Sequence, residues 1–228
     1  MSSQLASLAG AKWSEPITVL GKGTPNFIEK YGCSMQCVAG IGEAGGWIRL
    51  YPVFVCPTLP RVVPVEKFDV IQTVFRVRRP EPLRPESRKI HPELVRKVDC
   101  IKGEQRRSIL LEHTEPGDFL HDDSWQGRKS LGLIEPKNSR FWVTADNIPK
   151  VKFRCNSRHC RRHHMDLFEL IDFDEFGRTY PQRKKPRDQV EMQLSRFEGK
   201  ELRFVMGTHS KHPHVWIIVA VHALNGHK

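Results

Sequence analysis

The stretch KFRCNSRHCRRHHMDLFEL, residues 152–170, holds two cysteines and three histidines among basic residues. Cysteine thiolate and neutral imidazole are ligands that suit tetrahedral Zn²⁺, and a structural zinc site takes four ligands. The C-x4-C-x2-H spacing places Cys155, Cys160 and His163 in one short loop, and His164 offers an alternative C-x3-H spacing. We therefore predict that the two cysteines and one or both of these histidines bind a structural zinc ion.

The fourth zinc ligand is open, because the sequence shows one compact cluster and no second paired cluster. Three arrangements are open. Both His163 and His164 bind the zinc ion, or a water molecule is the fourth ligand as in a catalytic site, or a distant side chain completes the coordination. The distant candidates are Cys33, Cys37, Cys100, His209, His212 and His214. The alternative to a metal site is a basic loop with two reduced cysteines that face a core.

Basic side chains surround the predicted zinc loop, and residues 150–164 include no acidic residue. A second basic segment, residues 178–187, follows it. Phosphate backbones complement such segments, because each cation that neutralises a phosphate releases condensed counterions. The predicted nucleic-acid contacts are Lys150, Lys152, Arg154, Arg158, Arg161, Arg162, Arg183, Lys184, Lys185 and Arg187.

The charge of the whole chain agrees with a polyanionic partner. Its 37 Lys and Arg residues outnumber its 26 Asp and Glu residues, which gives a formal net charge of +11 at pH 7. Such an excess favours binding to nucleic acid, either DNA or RNA. The longest apolar run, VWIIVAV at 215–221, is far shorter than a membrane helix, so we expect no membrane partner. With no secretory signal evident, we expect a cytoplasmic protein with reduced cysteines.

Two other function classes are compatible with the same residues. Asp166 and Glu169 are three residues apart on a predicted helix over 164–176, where a carboxylate pair beside a basic surface could hold Mg²⁺ for phosphodiester cleavage. The alternative function is therefore a metal-dependent nuclease that uses Zn²⁺ or Mg²⁺. A basic scaffold subunit that binds an acidic protein is the third class. If Asp166 and Glu169 are not catalytic, they lie on the solvated face of an amphipathic helix.

Hydrophobic patterning predicts an α+β protein with substantial sheet. Residues 14–79 form a β-rich unit, a barrel or a strongly twisted sheet, that includes a hairpin of 35–41 with 47–55. A basic, proline-rich connector over 80–107 carries one short helix near 92–98. An α+β unit over 108–228 is organised round the zinc loop and ends in an apolar β-hairpin of 201–210 with 215–224.

Arg49 lies beside Tyr51 on one of the predicted strands. It is either a phosphate or base-stacking contact or an ordinary exposed arginine on a half-buried strand. The chain has no phosphate-binding glycine loop of the P-loop or dinucleotide type, and no G-x-S-x-G nucleophile turn. The primary prediction is therefore a nucleic-acid-binding protein with a structural zinc ion that contacts mainly backbone phosphates.

Overall fold

The structure, a computed structural model, describes residues 12–29, 32–55, 63–76, 81–120, 128–157, 168–171, 186–209, 212 and 214–224. These residues are mostly in β-strands. The strands are β1 Ile17–Lys22, β2 Asn26–Ile28, β3 Cys33–Gly42, β4 Trp47–Phe54, β5 Asp69–Phe75, β6 Ser87–Cys100, β7 Leu131–Ile134, β8 Lys137–Val143, β9 Pro149–Arg154, β10 Phe168–Glu169, β11 Leu202–Thr208 and β12 Trp216–Ala223. The α-helices are α1 Glu104–Glu112 and α2 Arg187–Ser195, and a 3-10 helix covers Gly117–Leu120.

The first half of the chain forms a closed barrel, one of the two β-rich forms that the sequence predicts, but the barrel extends beyond residue 79 to include β6. Its strands follow the order β1, β3, β4, β6, β5 around the barrel, and β1 closes the ring by pairing with both β3 and β5. Strands β4 and β6 are parallel, and the other neighbours are antiparallel. With the barrel strands numbered along the chain, this order is 1-2-3-5-4-1. It is the connectivity of the OB fold, a five-stranded Greek-key barrel.

Strand β6 occupies most of the segment predicted as a connector, so the prediction of a helix near 92–98 is wrong. Pro92 stands where the ladder between β5 and β6 is interrupted, since Phe75 pairs with Ile90 and the next pair is Thr73 with Val95. A proline has no N–H to donate and is tolerated in a sheet at such an irregularity. Ile90 is buried in the barrel core, and this burial outweighs the local helix preference.

Strand β3 is buried on both sides, because one side faces the barrel core and the other faces the second half of the chain. Val38 belongs to the core of the first barrel, whereas Ala39 and Ile41 belong to a separate apolar cluster between the two halves. Gly40 lies where β3 approaches β1 closely, and a Cβ atom there would be 2.6 Å from the carbonyl oxygen of Thr18. The position therefore requires glycine.

The second half repeats the connectivity of the first. Strands β8, β9 and β10 form one antiparallel sheet, and β7, β11 and β12 form another. A parallel bridge between Leu170 and Ile218 joins β10 to β12, and only Glu135 and Pro136 separate β7 from β8. If β7 and β8 count as one bent strand, the order is again 1-2-3-5-4-1, with α2 between the third and fourth strands. The terminal hairpin of β11 and β12 is confirmed.

The structure is mostly β, so the predicted α+β class is not confirmed. A closed five-stranded barrel is followed by two three-stranded sheets that one β-bridge joins, and we call this second unit the second barrel. Among the described residues, α2 is the only α-helix that follows α1. It buries Val190 and Leu194 against the second barrel. Most of the predicted zinc loop lies outside the described residues. No helix in the described ranges is long and apolar enough to span a membrane.

An apolar interface joins the two barrels. Gly21 of β1 lies against β12, where a Cβ atom on the glycine would be 3.1 Å from the Cβ of Ala220. Nearby, the buried His222 donates from Nε2 to the carbonyl oxygen of Leu20 at 2.7 Å. Burial lowers the pKa of His222 to about 3, so the ring is neutral at physiological pH. The barrels thus form one packed body.

Candidate nucleic-acid interface

Strand β9 alternates strictly between the core and the outside of the second barrel. Val151 and Phe153 are fully buried, whereas Lys150 and Lys152 are half-buried and Arg154 is exposed. This alternation has the period of two expected of a strand with one apolar and one solvated face. The three basic side chains therefore share the outer face.

Strand β8 places further cations directly opposite those of β9. In the antiparallel register Arg140 pairs with Lys152, Lys137 with Arg154, and Trp142 with Lys150. Phe141 has the opposite orientation and packs against Phe197 and Phe204 of the core. We call the outer surface of these two strands the basic face, formed by Lys137, Arg140, Trp142, Lys150, Lys152 and Arg154.

The basic face is electrostatically unfavourable by itself, because like charges directly opposite one another destabilise a sheet. Lys137 is paired with the carboxylate of Glu135, whose pKa is lowered chiefly by that hydrogen bond. Within the part of the chain that the structure describes, Arg140, Lys152 and Arg154 make no ion pair. A polyanion could neutralise these charges.

Trp142 adds an aromatic surface to the same face. Its side chain is half-buried and lies beside that of Lys150 across the strand pair. Base–aromatic stacking tolerates any sequence because every base has a π-face. The combination of cations with one tryptophan is chemically suited to a nucleic-acid backbone with at least one unstacked base.

The structure places four of the ten predicted contacts. Lys150, Lys152 and Arg154 lie on the basic face. Arg187 begins α2, donates from Nε to Glu191 at 2.7 Å and from Nη2 to the carbonyl of Val143 at 3.4 Å, and so lies at the end of β8. The other six lie outside the described residues: Arg158, Arg161, Arg162, Arg183, Lys184 and Lys185.

Sequence reasoning did not identify Lys137, Arg140 and Trp142 as site residues. The signal was present in RFWV, residues 140–143, where Arg140 and Trp142 alternate with Phe141 and Val143. The strand was predicted, but its register against β9 was not. Only that register shows that the cations of the two strands face one another.

Of the predicted zinc ligands, Cys155 alone lies within the described residues. It is buried, directly after β9, and a Cβ atom on Gly117 would be 2.8 Å from its Sγ. Cys160, His163 and His164 lie outside the described residues. Across the described ranges no group of three or more His, Cys, Asp or Glu residues could hold a metal ion.

The candidates for the fourth zinc ligand are dispersed. Cys33 is disulfide-bonded, so it supplies no thiolate, and the prediction that all cysteines are reduced is wrong at this position. Cys37 lies in β3 and Cys100 at the end of β6. The three histidines of the terminal hairpin lie near one another, with the rings of His209 and His212 stacked at 5.3 Å and those of His212 and His214 at 6.2 Å.

The predicted helix over 164–176 is wrong for the part that the structure describes. Residues Phe168–Glu169 form β10, which pairs with β9 so that Glu169 is opposite Lys150. Phe168 and Leu170 are both buried, which gives a period of two where the sequence suggested three and four. Asp166, the other catalytic candidate, lies outside the described residues. Glu169 is therefore on a strand and not on the helix face that the nuclease alternative requires.

A family model described as a domain of unknown function (DUF8758) matches residues 14–113, which cover the first barrel and α1. No curated protein matches the chain.

Two solved structures resemble the chain at low similarity. The Ifi202 HINa domain in complex with 20-bp dsDNA has 12% identity and a TM-score of 0.32, over 92% of this chain and 93% of that one. The p202 HIN1 domain in complex with 12-mer dsDNA has 13% identity and a TM-score of 0.31, over 94% of each chain.

Proposed function

We propose that the protein binds nucleic acid through the basic face of the second barrel, with contacts mainly to backbone phosphates. The observation that carries the proposal is the opposition of cations across β8 and β9, where Arg140 pairs with Lys152 and Lys137 with Arg154. Facing like charges destabilise the free protein. A bound polyanion would offset this repulsion, because its phosphates attract both cations.

The spacing of the cations supports a linear polyanion. Alternate residues of an antiparallel strand are about 6.8 Å apart along the strand. Lys150, Lys152 and Arg154 therefore form a row of three positive charges on one side of the hairpin, with Lys137 and Arg140 alongside. A chain of phosphates that runs along the strands can contact several of these charges in succession.

The barrel connectivity agrees with this proposal only in part. OB barrels bind oligonucleotides and oligosaccharides on the face of their second and third strands and the adjoining loops. In the second barrel β8 and β9 occupy the first and second strand positions, so the basic face shares β9 with that surface. Fold alone does not establish function, so the charged and aromatic side chains are the argument and the fold is only compatible with it.

The proposal is tested by fluorescence anisotropy with labelled double-stranded DNA, single-stranded DNA and RNA at low salt. The double variant Arg140→Gln with Lys152→Gln removes two facing charges and should weaken binding by about 1–2 kcal/mol, or about 5- to 30-fold. The matched control changes one arginine and one lysine of the first half, Arg88→Gln with Lys102→Gln, both exposed. Equal losses in the two double variants would refute a specific role for the basic face.

Zinc binding by Cys155, Cys160 and one or both of His163 and His164 stays a proposal. Its support is the ligand spacing and the buried position of Cys155 at the end of β9. Such a zinc ion would stabilise the fold, because the free energy of binding a structural metal is also free energy of folding. We expect one equivalent of zinc in the purified protein, lost with a lower Tm in Cys160→Ser. Protein without any transition metal would refute this proposal.

A further inference from the structure

The two barrels enclose a cleft that is separate from the basic face. The cleft has a volume of about 290 Å³ and is lined by residues of both barrels. Polar and aromatic side chains at its wall include Cys37, Arg49, Tyr51 and Arg84 from the first barrel and Thr208 and His209 from the second. A cavity with a few converging polar groups between two packed units is a common place for a small ligand.

Arg49 is the central cation of the cleft. Its residue is only 4% exposed, and its Nη2 donates to the carbonyl oxygen of Ser130 at 2.6 Å. Its Nη1 is buried and has no hydrogen-bond partner among the described residues. No carboxylate in the described ranges is ion-paired with this guanidinium. The prediction of an ordinary exposed arginine is thus wrong, and a buried charged donor is left unsatisfied.

Two further donors in the cleft are also unsatisfied. Nε of Arg84 and Oγ1 of Thr208 are buried without a hydrogen-bond partner in the part of the chain that the structure describes. Both belong to one locality, since Nη2 of Arg84 donates to the backbone carbonyl of Thr208 at 3.4 Å. The three unsatisfied donor atoms are themselves buried, and they belong to Arg49, Arg84 and Thr208, residues that line one cavity. Leaving a buried donor unsatisfied destabilises the free protein, and more so when the group is charged.

The nearby carboxylates are engaged with other groups. Glu86 accepts from the backbone N–H and hydroxyl of Ser130, at 2.8 and 2.6 Å, and from the N–H of Leu131 at 3.3 Å. Glu81 lies 3.7 Å from Arg84 and 3.9 Å from Lys89, so two cations share it. The cleft therefore holds more positive than negative charge.

The protonation states of Arg49 and Cys37 preserve this excess of positive charge in the cleft. Burial lowers the pKa of Arg49 to about 10, with the adjacent Arg84 as a further cause, yet the guanidinium remains charged at neutral pH. Burial raises the pKa of the Cys37 thiol against the opposing effect of Arg49 and Arg84. The thiol is neutral at pH 7, so no side-chain anion is supplied from that position.

We propose that the inter-barrel cleft binds a phosphate monoester, with its phosphate held by Arg49, Arg84 and Thr208. Two guanidinium groups match the charge of a dianion, and donors from three side chains match its three terminal oxygens better than the two oxygens of a carboxylate. Tyr51 also lines the cleft, and the rest of the cavity volume would hold the organic group of the ester. This site is independent of the nucleic-acid proposal, because its residues lie outside the basic face.

The test compares three probes by calorimetry and thermal shift: inorganic phosphate, a nucleoside 5′-monophosphate and the corresponding nucleoside. We expect the monophosphate to bind and to raise Tm, and the nucleoside to do neither. A short oligonucleotide with and without a 5′-phosphate then distinguishes a chain end from a free mononucleotide as the source of the phosphate group. This comparison uses the protein with Arg140→Gln and Lys152→Gln to reduce binding at the basic face.

Two variants assign the binding to the cleft. Thr208→Val is nearly isosteric and removes an unsatisfied hydroxyl, so the free protein should keep or gain stability while monophosphate affinity falls about tenfold. Arg84→Gln should show a similar loss of affinity. The control Arg88→Gln lies in the same segment, but Arg88 is exposed and bonds to the carbonyls of Pro85 and Ser87. The affinity of Arg88→Gln for the monophosphate should equal that of the wild type.

Alkylation of Cys37 gives a second measurement at the same site. Because Cys37 lines the cleft, bound monophosphate should slow its reaction with iodoacetamide, whereas Cys100, at the end of β6, should react at an unchanged rate. The proposal is overturned if neither phosphate nor monophosphate binds at millimolar concentration. It is also overturned if binding persists unchanged in Thr208→Val and Arg84→Gln.

Discussion

Arg140 of β8 lies directly opposite Lys152 of β9, and both side chains lie on the outer face of the second barrel. Neither residue has an ion-pair partner among the described residues. A facing pair of like charges destabilises the free protein and attracts an anionic partner. This opposition underlies the assignment of the basic face as a nucleic-acid interface.

The first prediction concerns the stability of the free protein. Arg140→Gln removes the repulsion with Lys152, so the free energy of unfolding should rise by about 0.2–1 kcal/mol at low salt. The gain should shrink at high salt, because exposed charges are screened. Urea denaturation at two salt concentrations measures both effects. A destabilised Arg140→Gln protein would show that the guanidinium has a structural role.

The second prediction concerns Trp142. If a base stacks on the indole, Trp142→Leu should weaken binding to single-stranded nucleic acid by about 1–3 kcal/mol per stacked base. Binding to a duplex, whose bases are already stacked, should change less. Anisotropy with single- and double-stranded oligonucleotides of one sequence measures the difference. Phe75→Leu, at a partly exposed aromatic residue of β5, is the control. Unchanged single-strand affinity in Trp142→Leu would refute stacking at this position.

The third prediction concerns pH and His222. The pKa of this buried ring is lowered to about 3, so the unfolded state takes up a proton below about pH 6.5 while the folded state does not. The contribution of the neutral His222 to the free energy of unfolding is fully present above pH 6.5. It is lost as pH falls from 6.5 towards 3, at up to about 1.4 kcal/mol per pH unit. His222→Gln keeps a donor for Leu20 but cannot titrate.

Urea denaturation of both proteins at pH 7 and pH 5 measures this linkage. The wild type should lose more stability on acidification than His222→Gln, and the difference between the proteins isolates His222 from the carboxylates. An equal loss would show that the ring is protonated in the folded protein.

The fourth prediction concerns the contact between β1 and β3. Gly40→Ala would place a methyl group 2.6 Å from the backbone oxygen of Thr18, so it should lower the free energy of unfolding by about 1–3 kcal/mol. A Cβ atom on Gly46 would have no other atom within 4 Å, and Gly46→Ala is therefore the control. Chemical denaturation compares the two. Equal effects would mean that the first barrel opens more easily than its packing suggests.

Strand pattern was the part of the fold that the sequence made predictable. The alternation of Val151 and Phe153 with lysines is local and indicates a half-buried strand without any tertiary information. The terminal hairpin was equally clear, because β12 is apolar enough to require a partner on each side. Turn residues separated these strands in the sequence.

Tertiary contacts decided what the sequence could not show. Phe168 and Leu170 fit either a helical or a strand period over so short a segment, and pairing with β9 selected the strand. The repeated barrel connectivity leaves no trace as a sequence repeat, because it resides in strand order and parallel pairing. The burial of Arg49 was not predictable, since it comes from the second barrel and not from its own strand.

The central claim is that cations of the basic face contact phosphates, and the salt dependence of binding tests it most directly. For wild type and a DNA duplex, log K should fall linearly with log salt concentration, with a slope of about −0.9 per phosphate contacted. The Arg140→Gln, Lys152→Gln double variant should have a slope shallower by about 1.8, while the Arg88→Gln, Lys102→Gln control keeps the wild-type slope. A wild-type affinity that does not vary with salt, or identical slopes in all three proteins, would contradict the account.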